Sequence, residues 1–134
     1  MATQRIIDFL NTRRPEGPCL VVDTDVVREN YQGFEKALPY SRIFYAVKAN
    51  PAPEILRLLA SLGSSFDTAS VAEIEMALEA GATPDRISYG NTIKKERDIA
   101  RAFDLGIRFM RSIAWKKWKR LPASRPAAAC SAAS

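Results

Sequence analysis

Histidine is absent from this chain of 134 residues, and cysteine occurs only twice, at Cys19 and Cys130. Zinc is held in proteins by clustered histidine, cysteine and carboxylate side chains, so a zinc site is not expected and we predict no bound metal. Two distant cysteines also provide no disulfide framework, which is typical of proteins from the reducing cytoplasm. We therefore expect a cytoplasmic protein without structural cross-links.

Long apolar stretches and glycine-rich motifs are missing as well. No run approaches the roughly 18 apolar residues of a membrane-spanning helix. Residues 1–17 mix charged and polar side chains, which is unlike a secretory leader. No Walker or dinucleotide-binding glycine pattern occurs. These absences argue against a membrane protein and against a nucleotide-binding domain of either common type.

What the chain does have is a regular alternation of strand and helix patterns. Short apolar segments of strand character occur at 42–47, 64–67, 86–89 and 106–109, with one helical pattern after each of the first three. Pro53 suits the first turn of one helix, Ser70 and Glu73 form a capping box for the next, and Gly81 and Gly106 follow helix ends. One helix per strand predicts a parallel β/α barrel, with an open doubly wound sheet as the alternative.

Polar side chains follow the predicted strands at their carboxyl ends, where both kinds of α/β fold place their active sites. Lys48 and Asn50 follow the first strand, Asp67 and Ser70 the second, and Gly90, Asn91 and Thr92 the third. A lysine at the end of an apolar strand either points into solvent or is desolvated, and desolvation makes its amine a better nucleophile. The convergence on one rim favours the functional interpretation.

A different unit precedes this alternation. Residues 2–12 have the pattern of a short helix, and residues 13–18 form a turn-rich link. The segment 19–23 is predicted to be a strand, in which Cys19 is a small buried side chain. Thr24 is predicted to cap a second helix. That helix is expected to bury four side chains at helical spacing, namely Val27, Tyr31, Phe34 and Leu38.

Several of these segments resemble one known family. The run 44–50 (FYAVKAN), the run 63–70 (GSSFDTAS) with Ala72–Glu75 after it, and the run 86–94 (RISYGNTIK) are similar in order and spacing to motifs of the ornithine, diaminopimelate and arginine decarboxylases. These enzymes depend on pyridoxal phosphate and have an alanine-racemase-like barrel. Residues 20–23 also resemble the family's opening strand. The resemblance covers about residues 18–108 and is most similar to the ornithine-type enzymes.

The resemblance implies roles for individual residues. Lys48 would hold pyridoxal phosphate through a Schiff base and pass it to the amine of the substrate. Asp67 would lie near that lysine, where a carboxylate favours a protonated amine or imine. Ser70, Glu73 and Asn91 are the remaining cofactor-binding candidates. Glu73 is also explained as the capping-box residue, and Asn91 as a polar turn residue.

The chain also departs from the family pattern. The family uses a histidine that stacks on the cofactor ring, and this chain has none. Its phosphate loop, the acidic partner of its pyridinium nitrogen and its C-terminal β-domain have no counterpart in the sequence. We therefore expect the N-terminal half of a β/α barrel at 18–109, after a helix and linker at 1–17, with little or no activity of its own.

The final segment, 110–134, differs in composition from everything before it. It contains both tryptophans, six of the 20 basic residues and none of the 15 acidic ones, so the excess of +5 arises there. A basic helix over 111–121 could bind anionic membranes or nucleic acid. Alternatively, the segment is out of frame. The codons of 115–119 (WKKWK), moved by one base, must encode glutamate at two positions, and the shifted frame can encode the family's acidic helix. We favour the frame change and expect no nucleic-acid or membrane partner.

The function implied by the resemblance is decarboxylation of a basic amino acid with pyridoxal phosphate, and L-ornithine is the expected substrate, giving putrescine for polyamine synthesis. The intact protein is expected to be a homodimer. Two alternatives stay open: a racemase or cofactor-carrying barrel of the same fold, and a non-catalytic half-barrel fragment whose open strand edges associate with another chain.

Overall fold

The computed structural model describes residues 2–111, and the chain divides into two compact units, Met1–Pro39 and Tyr40–Ser134. The boundary between these units falls later than the one expected at residues 17 and 18. The hypotheses on the tail, whether a basic helix or an out-of-frame segment, fall outside the described residues apart from Met110 and Arg111. They stay predictions.

The first unit contains two helices, α1 (Gln4–Arg13) and α2 (Thr24–Ala37). Thr3 caps α1, and its hydroxyl donates a hydrogen bond of 2.8 Å to the carboxylate of Asp23. Asp23 in turn accepts from the backbone N–H of Asp25 at 3.1 Å and so caps α2. The hydrogen bond from Thr3 is the main reason that the pKa of Asp23 is lowered. One carboxylate therefore joins the first turns of both helices.

Four expectations for the first unit are wrong, the last of them in part. The segment 19–23 forms no strand among the described residues, since a strand needs a hydrogen-bonded neighbour, and Cys19 is exposed. The cap of α2 is Asp23 rather than Thr24, because the Asp23 side chain bonds the first free N–H groups. Of the four side chains expected in its core, Tyr31 is buried, whereas Phe34 and Leu38 are exposed and Val27 is half-buried.

The second unit alternates strands and helices throughout its described part. Pro53 stands at the first position of a helix, and the capping box places Ser70 immediately before the next one, as the sequence predicts. The elements are β1 (Phe44–Ala46), a 3-10 turn (Val47–Ala49), α3 (Pro53–Ser61), β2 (Ser65–Thr68), α4 (Val71–Glu79), a second 3-10 turn (Pro84–Arg86), β3 (Ile87–Tyr89), α5 (Glu96–Asp104) and β4 (Phe109–Met110).

The four strands form one parallel sheet in the order β1-β2-β3-β4, which is also their order in the chain. A doubly wound sheet reverses its strand order at a switch point, and no reversal occurs among these strands. The rings of Phe44 on β1 and Phe109 on β4 have centroids 5.9 Å apart. In a flat sheet three strand spacings would separate them by about 14 Å. The sheet therefore curls as the first part of a barrel does, which confirms the barrel prediction.

The two faces of the sheet differ in chemistry. Phe66 and Ile87 are in register and fully buried, and Tyr89 and Met110 occupy the same face further along the strands. This apolar face is the one that the helices cover, and Ile74 of α4 is fully buried as well. The opposite face, here called the inner face, carries a row of in-register residues, one per strand: Ala46, Asp67, Ser88 and Phe109.

Among the described residues, none of the helices has the length and apolar character required to cross a membrane. The same residues contain no group of three or more histidine, cysteine or carboxylate side chains arranged to bind a metal ion.

Substitution of Phe66 tests whether the apolar face of the sheet forms the core. We expect Phe66→Ala to lower the free energy of unfolding by about 3–5 kcal/mol, because it removes a fully buried ring. Ile93→Ala is the matched control, since Ile93 is 77% exposed and its truncation should change stability by less than about 0.5 kcal/mol. Chemical denaturation monitored by circular dichroism measures both. Equal effects of the two substitutions would contradict the assigned core.

Candidate functional site at the carboxyl ends of the strands

Lys48 lies in the 3-10 turn that begins directly after β1. The preceding residue, Val47, is fully buried and anchors this turn, whereas Lys48 itself is exposed. The amine of Lys48 is therefore accessible to solvent and is not desolvated by burial in this structure. The turn instead holds a primary amine at the carboxyl edge of the sheet, where a ligand can reach it.

Asp67 is the acidic residue that the sheet brings nearest in register to this turn. Asp67 lies in β2 and is in register with Ala46, which precedes Lys48 by two residues. Asp67 is half-buried. Within the described part of the chain no salt bridge joins Asp67 to Lys48. The structure thus places the carboxylate on β2 and the amine in the turn after the adjacent strand β1, without pairing them directly.

Ser70 and Glu73 form the predicted capping box at the start of α4. The hydroxyl of Ser70 accepts from the N–H of Glu73 at 3.2 Å, and the carboxylate of Glu73 accepts from the N–H of Ala69 at 2.7 Å. The two side chains thereby satisfy N–H groups that the helix leaves unpaired. In this structure both of them serve the turn between β2 and α4.

Asn91 connects the loop after β3 with the loop after β2. Its amide nitrogen donates to the carbonyl of Ala69 at 3.1 Å, and its amide oxygen accepts from the N–H of Ile93 at 3.3 Å. The second bond is the local turn that asparagine favours, and the first is a tertiary contact. The interpretation of Asn91 as a polar turn residue is thus confirmed, and its role towards a cofactor stays a prediction.

Lys94 is a residue of this edge that the sequence did not single out. It is only 8% exposed, and its ammonium donates to the carbonyls of Asn91 and Arg111 while lying 4.7 Å from the ring centre of Tyr89. It therefore ties the ends of β3 and β4 together. Nothing in the local sequence distinguishes this lysine from the exposed Lys95 beside it, because its partners come from the fold.

Tyr89 and Tyr45 both ionise less readily than an exposed tyrosine. Burial is the main cause of the raised pKa of Tyr89, and the negative charges of Asp98 and Glu73 add to it. Burial likewise raises the pKa of Tyr45, whose hydroxyl donates to the carbonyl of Asn50 at 3.2 Å. Near neutral pH both phenols are therefore protonated.

An open cleft of about 540 Å³ lies beside these loops. Its lining includes Ser70, Asn91 and Lys94, together with the ring of Tyr89. The loops after β2 and β3 thus border a space large enough for a small molecule. Lys48 and Asp67 are not part of this lining.

Comparison with known proteins identifies the family. Residues 24–124 match the family model described as the pyridoxal binding domain of the pyridoxal-dependent decarboxylases. This chain belongs to that family. The match extends past Phe109, where we expected the resemblance to end. It includes the turn with Lys48 and every other predicted site residue.

Relatives named as decarboxylases of basic amino acids are similar to this family member over most of its length. The chain is 46% identical over 96 residues to lysine/ornithine decarboxylase of Selenomonas ruminantium, which is 72% of this chain and 24% of that protein. It is 46% identical over 90 residues to a chloroplastic ornithine decarboxylase of Nicotiana glauca, 67% of this chain and 21% of that protein. The chain thus spans about a quarter of the length of these relatives.

The solved structures agree in fold. A crystal structure of lysine decarboxylase from Selenomonas ruminantium superimposes with a TM-score of 0.81 at 36% identity, covering 97% of this chain and 35% of that one. The four strands with their helices therefore match part of a decarboxylase barrel, as the resemblance implied.

The residues at this edge fit one end of pyridoxal phosphate. The aldehyde of the cofactor requires an accessible primary amine, and Lys48 is exposed at the strand end. A carboxylate, Asp67, lies on the next strand, and Gly90, directly after the third strand, leaves it room, since a Cβ at Gly90 would lie 2.9 Å from the Asp67 carboxyl carbon.

The capping role of Ser70 can be tested separately from any cofactor. We expect Ser70→Ala to lower the free energy of unfolding by about 1 kcal/mol, since the N–H of Glu73 loses its partner. Ser70→Asp should restore most of that stability, because aspartate is also a good cap. Urea denaturation of the three chains without cofactor measures the effect. A Ser70→Ala chain as stable as the unsubstituted one would contradict the cap.

Proposed function

We propose that this chain forms the first part of the barrel of a pyridoxal-phosphate-dependent decarboxylase, and that L-ornithine is the substrate of the whole protein. The observation that carries the proposal is the position of Lys48, an exposed amine in the turn that follows β1, the strand paired with the one that contains Asp67. The family membership and the relatives named ornithine decarboxylase support it. We further propose that the whole protein is a cytoplasmic homodimer.

Lys48 has the central role in this proposal. Its amine would hold the cofactor at the aldehyde carbon. The chemistry that bound pyridoxal phosphate would supply there is an acceptor for the electrons left on the α-carbon of the substrate as carbon dioxide departs. The turn 47–49 contributes orientation, since buried Val47 fixes the backbone from which the lysine extends.

The other candidate residues have supporting roles in the proposed site. Asp67 stabilises a proton on the lysine nitrogen, because a nearby carboxylate favours the charged form of an amine. Ser70 and Glu73 hold the turn after β2, and Asn91 joins it to the loop after β3 at 3.1 Å. These contacts keep the two loops beside the lysine in fixed positions.

The activity of the 134-residue chain by itself is a separate matter. It contains no histidine to stack on a cofactor ring, and it spans about a quarter of the length of the relatives. We propose that the chain binds the cofactor through Lys48 and does not turn over substrate alone.

A direct test is covalent labelling of Lys48. The chain is incubated with pyridoxal phosphate, reduced with borohydride, digested and analysed by mass spectrometry. We expect one dominant pyridoxyl group on the peptide containing Lys48 and its loss in Lys48→Ala. Lys36→Ala is the matched control, because Lys36 is an exposed lysine of α2 and its removal should leave the labelling unchanged.

Labelling spread evenly over the exposed lysines would contradict a cofactor site at Lys48. That result would favour the alternative of a non-catalytic fragment of the same fold.

The choice of substrate requires a protein of family length that carries this segment. We expect kcat/KM to be larger for L-ornithine than for L-lysine and for diaminopimelate. Release of carbon dioxide under identical conditions measures the three values, and Lys48→Ala in the same protein supplies the background rate. A larger value for L-lysine would assign the protein to lysine-type enzymes and contradict the ornithine proposal.

A further inference from the structure

Gly90 lies so close to the carboxylate of Asp67 that a side chain at position 90 would displace that carboxylate. Gly90 follows β3 directly, and Asp67 lies in the neighbouring strand β2. A Cβ built on Gly90 would lie 2.9 Å from the carboxyl carbon of Asp67 and 3.0 Å from one of its oxygens, with the other oxygen closer still. Real Cβ atoms do not approach neighbours under 3.0 Å.

The need for glycine at this position is steric rather than conformational. Gly63, Gly81 and Gly106 have φ values of +94°, +99° and +87°, which favour glycine for its backbone freedom. Gly90 is not among the residues with positive φ. Any residue could adopt its backbone conformation, so the space occupied by the Asp67 carboxylate is what excludes a side chain.

Neither backbone can move aside to make room. The N–H of Gly90 donates to the carbonyl of Thr68 at 2.9 Å, which ties it to the end of β2. Asp67 is held in the ladder between Ala46 and Ser88. The Asp67 carboxylate, in contrast, is the end of a side chain that can rotate. A methyl group at position 90 would therefore displace the carboxylate and leave the sheet intact.

We infer that Gly90 is a positioning residue, whose missing side chain sets where the carboxylate of Asp67 stands beside the end of the lysine strand. The inference rests on the proposed function, in which that carboxylate acts on the nitrogen of Lys48. Gly90 itself touches neither the lysine nor the cofactor in this scheme. It acts through Asp67 alone.

The first test compares two glycine substitutions in the 134-residue chain. Gly90→Ala is expected to weaken binding of pyridoxal phosphate about tenfold, because the displaced carboxylate no longer supports a protonated nitrogen at Lys48, and the loss of a nearby opposite charge has an effect of that size. Gly33→Ala is the matched control, because a Cβ there meets nothing within 4 Å, and it should bind as the unsubstituted chain does. Titration followed by absorbance of the bound cofactor measures both, and circular dichroism verifies that both fold. Equal affinities of Gly90→Ala and the unsubstituted chain would overturn the inference.

A double substitution shows whether the effect passes through Asp67. In an Asp67→Ala background the carboxylate is gone, so Gly90→Ala should have no further effect on affinity. A full tenfold loss in that background would mean that Gly90 acts through something other than Asp67, and the inference would be wrong.

A measurement without cofactor separates this inference from the proposed function. The carboxyl carbon of Asp67 is observed by NMR in the unliganded chain, where Gly90→Ala should shift its resonance and Gly33→Ala should not. If the unsubstituted chain fails to bind pyridoxal phosphate, the proposed function is wrong. The NMR shift of Asp67 in Gly90→Ala then still tests whether Gly90 sets the position of the carboxylate. An unmoved Asp67 resonance in Gly90→Ala overturns the inference.

Discussion

The parallel ladder that joins the four strands is the interaction on which the rest of this structure depends. Its register places Ala46, Asp67, Ser88 and Phe109 in one row across the inner face. Because all strands run in the same direction, their carboxyl ends share one edge. Lys48, Ser70 and Asn91 are far apart in the chain and reach that edge only through this register. A shift of β2 by one residue would turn Asp67 towards the helices and remove it from the rim.

The loops at this edge are held by side chains that bond to backbone groups. Glu73 and Ser70 complete the first turn of α4, Asn91 reaches across to the carbonyl of Ala69, and Lys94 joins the ends of β3 and β4. Some of the residues that stabilise these loops are therefore also residues of the proposed site. Glu73, which the family resemblance implies as a cofactor residue, has a sufficient structural reason to be there, and the two roles are compatible because one carboxylate oxygen makes the capping bond.

The two compact units differ in how well local sequence patterns predict their secondary structure. In the second unit, Pro53, Ser70 and Gly106 mark helix ends in the positions that propensity predicts, because capping and backbone freedom are local effects. In the first unit, the apolar segment 19–23 was predicted to be a strand and is not. A strand exists only if another chain segment supplies its hydrogen bonds, and no local pattern can provide that partner.

The sequence by itself determined the alternation of strands and helices and the capping box, because these follow from periodicity and local hydrogen bonding, while Lys48 as a site residue stays a prediction from the family resemblance. Only the tertiary structure decided that Lys48 is exposed, that the strands keep their chain order in a curled sheet, that Lys94 lies at the same edge, and that Gly90 approaches Asp67 closely. Exposure, curvature and close approach depend on atoms contributed by distant parts of the chain, so packing has to bring those atoms together before any of the three is defined.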